Sequence, residues 1–136
     1  MIYLVGMKKV RIKYISHIFQ NRHIDKIEVE EDGYVETSDD KITLSFIDSS
    51  NETKEKTTFI FLDDEMSIIR GNSILEFNKN QNCKCQYKTE YGSIELETKL
   101  KKYFRLGNEY VINYELLIDN ESIGKYIIRI SYKELS

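Results

Sequence analysis

The chain contains no proline, no tryptophan and no alanine. Without proline, nothing in it deletes a donor from a β ladder. Without alanine, the best helix former, it lacks the usual filler of helical surfaces. Histidine and cysteine are scarce at two each, and the six glycines stand singly. No stretch approaches the ~18 apolar residues of a membrane-spanning helix. The apolar opening before Gly6 is short and its positive charges come after it, the wrong order for a signal peptide. Met7 begins a more natural strand, so residues 1–6 read as an upstream-start extension of a single domain, 1–136. A cytoplasmic setting is expected, with no membrane association.

What the chain does have is alternation. Cys83, Cys85 and Tyr87 form one set, and Ile94, Leu96 and Leu100 the next. Tyr110, Ile112, Tyr114, Leu116 and Ile118 follow, then Tyr126, Ile128, Ile130 and Tyr132. Successive side chains on a strand point to opposite faces, so each run has one buried and one wet face. Serial strands with one oily face must close on themselves to hide it. The pattern predicts an all-β, single antiparallel up-and-down barrel of 8–10 strands. Ile, Lys, Asn and Tyr are also what an AT-rich genome supplies, so the periodicity carries this reading and composition adds little.

The strands are expected at Val10 to Phe19, Ile27 to Thr37, Ile42 to Phe46, Thr57 to Leu62, Met66 to Arg70 and Ile74 to Phe77. Those at Cys83 to Tyr91, Ser93 to Lys102, Tyr110 to Asp119 and Ile123 to Lys133 complete the set. Gly33 inside the second suggests a bulge or bend, and Gly71-Asn72 a hairpin. Asp48 to Lys56 reads as the most flexible loop. Leu96, Leu100 and Phe104 also fit a helical spacing of four, with Gly107 as a cap; strand is preferred.

Charge is uneven. Fourteen acidic residues stand against four lysines between Asp25 and Glu65. An acidic middle repels phosphate, which argues against nucleic acid. Lys99, Lys101, Lys102 and Arg105 surround Tyr103 and Phe104, and read as a solvated strand end rather than an RNA contact. Cys83-Lys84-Cys85 is neither a CxxC nor half of a zinc site; the pair reads as small apolar filler. His17 and His23 have no ligand pattern around them, so no metal is expected.

Catalytic signatures are missing: there is no GxSxG, P-loop or dinucleotide fingerprint, and no acid–base pair at a suggestive spacing. The chain is therefore expected to be no enzyme and to carry no cofactor. Two features stand out. Arg70 shares parity with Met66 and Ile68, so it either points inward and needs acceptors or is exposed while Ile69 sets the inner face. Tyr14, Tyr87, Tyr114, Tyr126 and Tyr132 fall on the apolar parity, either lining a pocket with polar tips or packing the core. Candidate ligand-binding residues are Arg70, Tyr87, Thr89 and Tyr114, with a small apolar or anionic ligand. The alternative is a protein-interaction module or homodimer, using an edge strand or an outer apolar patch of Val111, Leu117 and Ile127.

Several stretches resemble one family. Ile68-Ile69-Arg70-Gly71, Leu75-Glu76-Phe77, the run from Tyr87 to Leu96, and Val111 to Leu116 are similar to the YwiB-like family of small bacterial β-barrel proteins. Gly33-Tyr34 and Ile42 to Phe46 match it too, so the likeness spans nearly the whole chain from Met7. It implies a calycin (lipocalin-like) barrel in the cytoplasm. It supplies no catalytic residue, because the family has no established activity. The chain lacks the tryptophan that lipocalins often place on their first strand, so a lipocalin ligand would be fold-level analogy alone.

Overall fold

The computed structural model describes residues 6–49 and 54–135. Residues 1–5 of the expected extension, and 50–53 of the expected flexible loop, lie outside the described residues. Ten strands run in order: β1 (Gly6–Gln20), β2 (His23–Ser38), β3 (Lys41–Ile47), β4 (Lys56–Phe61), β5 (Glu65–Arg70), β6 (Ser73–Asn78), β7 (Cys83–Thr89), β8 (Gly92–Leu106), β9 (Glu109–Ile118) and β10 (Glu121–Glu134).

Every ladder is antiparallel, and the sheet order is β6-β5-β4-β3-β2-β1-β10-β9-β8-β7. The chain thus meanders up and down, and pairing of β1 with β10 joins its two ends. Tight turns make this possible. Asn21-Arg22 and Asp119-Asn120 take positive φ at both positions, the geometry whose twist suits a two-residue hairpin. Gly71 and Gly107 each supply a single positive φ to their turns, at 58° and 60°.

The sheet curls into a nearly closed barrel. Its remaining edges, β6 and β7, face each other across a seam with no backbone ladder among the described residues. Side chains bridge it instead. The Glu76 amide donates to Cys85 Sγ at 3.3 Å, and the Glu76 carbonyl accepts from Thr98 Oγ1. Cys85 is therefore more than filler: its buried thiol satisfies a backbone donor at the closure point.

Inward parity is as the alternation predicts. Ile12, Leu44, Phe59, Ile112, Ile128 and Ile130 are buried at 1 % exposure or less. Asn113 takes the outer face between buried Ile112 and Tyr114. Three details differ from the sequence reading. Gly33 makes no bulge: it keeps register with both Val10 and Phe46. The register shifts fall between Leu100 and Lys102 and between Ser122 and Gly124. The first shift reverses the parity of β8, so Tyr103 turns inward while Phe104 faces out. The helical spacing of Leu96, Leu100 and Phe104 is thus an accident of a bulged strand. Val111, Leu117 and Ile127 are half-buried among their outer-face neighbours, not an open patch.

Candidate ligand cavity

The two halves of the barrel differ. One half is packed with aromatic rings, which leave a hollow of about 320 Å³ edged by Asp40, Asp63, Lys79 and Arg105. Phe61 stacks on Tyr110 at 3.7 Å between centroids and 5° between planes, with Phe59 and Tyr103 on either side. The Tyr103 hydroxyl donates to the Leu62 carbonyl, which anchors the ring across strands. Arg105 lies over the Tyr110 ring at 5.4 Å. Of the basic cluster expected near Tyr103, Arg105 lies at the rim of this end, and its tyrosine points into the core.

The other half holds a cavity of about 410 Å³. This lies within the ~300–1,000 Å³ usual for small-molecule sites. The hairpins β1–β2, β5–β6, β7–β8 and β9–β10 surround its mouth, as the antiparallel strand order requires. Ile27, Tyr87, Ile94 and Ile123 line it yet are 38–42 % exposed. Apolar side chains left wet at a rim mark an entrance, not a packed core.

All four residues nominated from the sequence, Arg70, Tyr87, Thr89 and Tyr114, line this one cavity. Arg70 does point inward, on the parity of Met66 and Ile68. Its Nε donates to the buried Thr57 Oγ1 at 3.4 Å. Arg11 and Arg129, in contrast, face outward and pair with carboxylates, at 2.9 Å to Asp32 and 2.8 Å to Glu109. Among the described residues no carboxylate stands within 4 Å of the Arg70 guanidinium. Thr89 is less available than its position suggests. Its hydroxyl donates to the Gly92 carbonyl at 2.8 Å and accepts from the Tyr91 amide at 3.1 Å, so it holds the β7–β8 turn.

Tyrosines form the floor. Tyr114 stacks on Tyr126 at 4.7 Å and 7°, and meets Phe77 edge-on at 4.7 Å. Tyr14 leans on Phe59 and Phe46. The Tyr126 hydroxyl accepts from Gln20 Nε2 at 3.3 Å. Burial pushes the Tyr114 hydroxyl well above the ordinary tyrosine pKa, and raises Tyr14 and Tyr126 as well. The Arg70 charge acts against that shift at both Tyr14 and Tyr114. Tyr132, nominated with the others, is not among the lining residues.

The walls are of two kinds. β5, β6 and β7 contribute Ile68 and Leu75 deeper in and Arg70, Ser73, Tyr87 and Thr89 nearer the mouth, the more polar side. β8, β9, β10, β1 and β2 contribute Ile94, Leu116, Ile118, Ile123, Ile128, Ile18 and Ile27, an almost continuous branched aliphatic side. Sequence reading missed Ser16, Thr57 and Ser73. A signal existed: inward rows of β4, β5 and β6 turn polar at their mouth ends, at Thr57, Arg70 and Ser73, and Ser16 interrupts the β1 row between Tyr14 and Ile18. Reading each row whole, and not only its apolar members, finds them.

Among the described residues no group of three or more His, Cys, Asp or Glu could hold a metal. His23 instead meets the exposed Asp25 at 3.0 Å. No helix of the described residues is long and apolar enough to cross a membrane.

Comparison with known proteins agrees with this architecture. No curated protein matches the chain. The crystal structure of the ywiB protein from Bacillus subtilis superposes with a TM-score of 0.80 over 96% of this chain and 94% of that one, at 18% identity. At that identity the likeness establishes the fold alone. The description "Domain of unknown function (DUF1934)" matches residues 12–130. The chain therefore belongs to this DUF1934 family, YwiB-like barrels of unknown function, as its sequence resemblance implied.

Proposed function

We propose that this barrel is a non-catalytic binder of a small molecule, taken into its half-empty end. The observation that carries the reading is the asymmetry of the interior. A barrel of this size either fills its lumen with side chains or holds one small ligand. Here the half around the Phe61–Tyr110 stack keeps a smaller, more polar hollow of about 320 Å³ edged by Asp40, Asp63, Lys79 and Arg105, and the other keeps about 410 Å³ lined mainly by aliphatic and aromatic side chains, with an apolar rim in water. Preserving such space costs stability, because a void forfeits the contacts its lining would make.

The outer rows of β1 and β2 support a water-exposed protein. Lys9, Arg11 and Lys13 face Tyr34, Asp32 and Glu30 across the ladder, whereas a lipid-facing barrel needs an apolar outer band. Both cysteines are free thiols, which fits a reducing cytoplasm.

The test is calorimetric titration with small apolar and anionic amphiphiles, together with native mass spectrometry of freshly purified protein. Wild type should take up one molecule per chain. Ile118→Trp, which fills the cavity from its aliphatic wall, should abolish uptake while the β circular-dichroism spectrum stays intact. Uptake unchanged by Ile118→Trp, or none from the whole panel, sinks the reading.

A further inference from the structure

The cavity has a direction, and it narrows the class of ligand. A second, polar cavity of about 280 Å³ adjoins the first at the β5–β6 and β7–β8 turns. The two share Arg70, Ser73, Tyr87 and Thr89. This vestibule adds the cation Lys88, the neutral amide Asn72 and the carboxylate Glu55. Among the residues lining it, two cations, Arg70 and Lys88, stand against one carboxylate. Arg70 sits where the aliphatic chamber meets the polar one, with its Nε held by Thr57. The buried Asp48 also acts electrostatically on Tyr14 and is a second carboxylate at this end of the barrel. A planar guanidinium half-withdrawn from water favours an oxyanion that can take two of its donors. An uncharged apolar guest would leave those donors without acceptors, at a cost.

We propose that the ligand is an anionic amphiphile, a carboxylate or phosphate on an apolar body. Its head lies on Arg70 at the junction of the two chambers, and its body lies along the isoleucine wall of β8, β9, β10, β1 and β2. This rests on the cavity being a ligand site and adds the chemistry of what enters it.

The experiment compares decanoate, decyl phosphate, decanol and decylamine by calorimetry on the same protein. Wild type should prefer one or both anions over decanol by roughly tenfold to hundredfold, the usual worth of a charge-assisted contact. Decylamine should bind worst. Preference for decanoate assigns a carboxylate head, and preference for decyl phosphate a phosphate head; either supports the proposal. Arg70→Met should erase the preference and leave decanol binding in place. Arg70→Lys, which keeps the charge without the fork, should retain part of it. Decanol binding as tightly as the anions, or an Arg70→Met protein that still prefers them, overturns the ligand class and leaves the cavity reading standing. Should Arg70→Met fail to fold, the four-ligand comparison on wild type still decides. Failure of all four ligands to bind wild type overturns both.

Discussion

Gly33 shows how one residue fixes a register. A Cβ placed there would stand 2.3 Å from the Ser45 carbonyl oxygen and 2.7 Å from Ile12 Cδ1. The first contact is with backbone, so no side chain can swing away to admit it. The backbone cannot retreat either, because Gly33 is paired to Val10 on one side and Phe46 on the other. Gly33→Ala should cost about 2–3 kcal/mol, the upper part of the overpacking range. The loss should appear as a lower urea midpoint with an unchanged slope; an unmoved midpoint would mean the sheet has slack there. The sequence marks this glycine as special but assigns it the wrong reason, since a bulge and a close approach look alike in one dimension. Arg70 is the opposite case. Parity with Met66 and Ile68 offers the inward position without deciding it against Ile69, and its companion Thr57 is legible only once β4 is known to pair with β5 in the register Thr57↔Arg70.

Whole strands were legible wherever alternation ran unbroken, because the same burial that stabilises a strand writes its period. β9 is the clean case, with Tyr110, Ile112, Tyr114 and Leu116 all buried. β8 is the failure. One extra residue near Lys101 flips every side chain beyond it, and a bulge leaves no fixed residue signature in the strand that carries it. The turn after β7 was also displaced: it is made by Glu90 and Tyr91, not by Gly92. The seam between β6 and β7 was invisible for a different reason. Its bonds join Glu76 to Cys85 and Thr98, and nothing local distinguishes a seam cysteine from a core one. Burial raises the Cys85 thiol pKa, so it stays protonated and can both accept from the Glu76 amide and donate toward the Glu76 carbonyl. Cys85→Ala should free that amide. Hydrogen exchange at Glu76 should accelerate while the Ile112 amide in β9 keeps its protection. Unchanged exchange at Glu76 would show that the thiol does not hold the seam.

At the scale of the molecule, tyrosine is the titratable group that the fold buries most. Tyr14, Tyr114 and Tyr126 surround the cavity, and Tyr103 and Tyr110 pack the other end. Burial raises the pKa of all five, with Tyr103 and Tyr114 raised far. An unfolded tyrosine ionises near pH ~10. Below that pH both states hold the phenolic proton, and the stabilisation is present in full. Above it the unfolded chain releases protons first, so it is favoured progressively until the pH reaches the raised folded values. Stability should therefore fall steeply above about pH 10, with five sites acting together. Followed by ultraviolet absorbance, a late group of tyrosinates should appear in one cooperative step, coincident with loss of the β circular-dichroism signal. Arg70 opposes the shift at Tyr14 and Tyr114, so Arg70→Met should steepen the alkaline loss relative to its own stability at neutral pH. Smooth ionisation of every tyrosine near its ordinary value, with the β signal intact, would contradict the burial of these rings and with it the division of the barrel into a ring-packed half and a more open one.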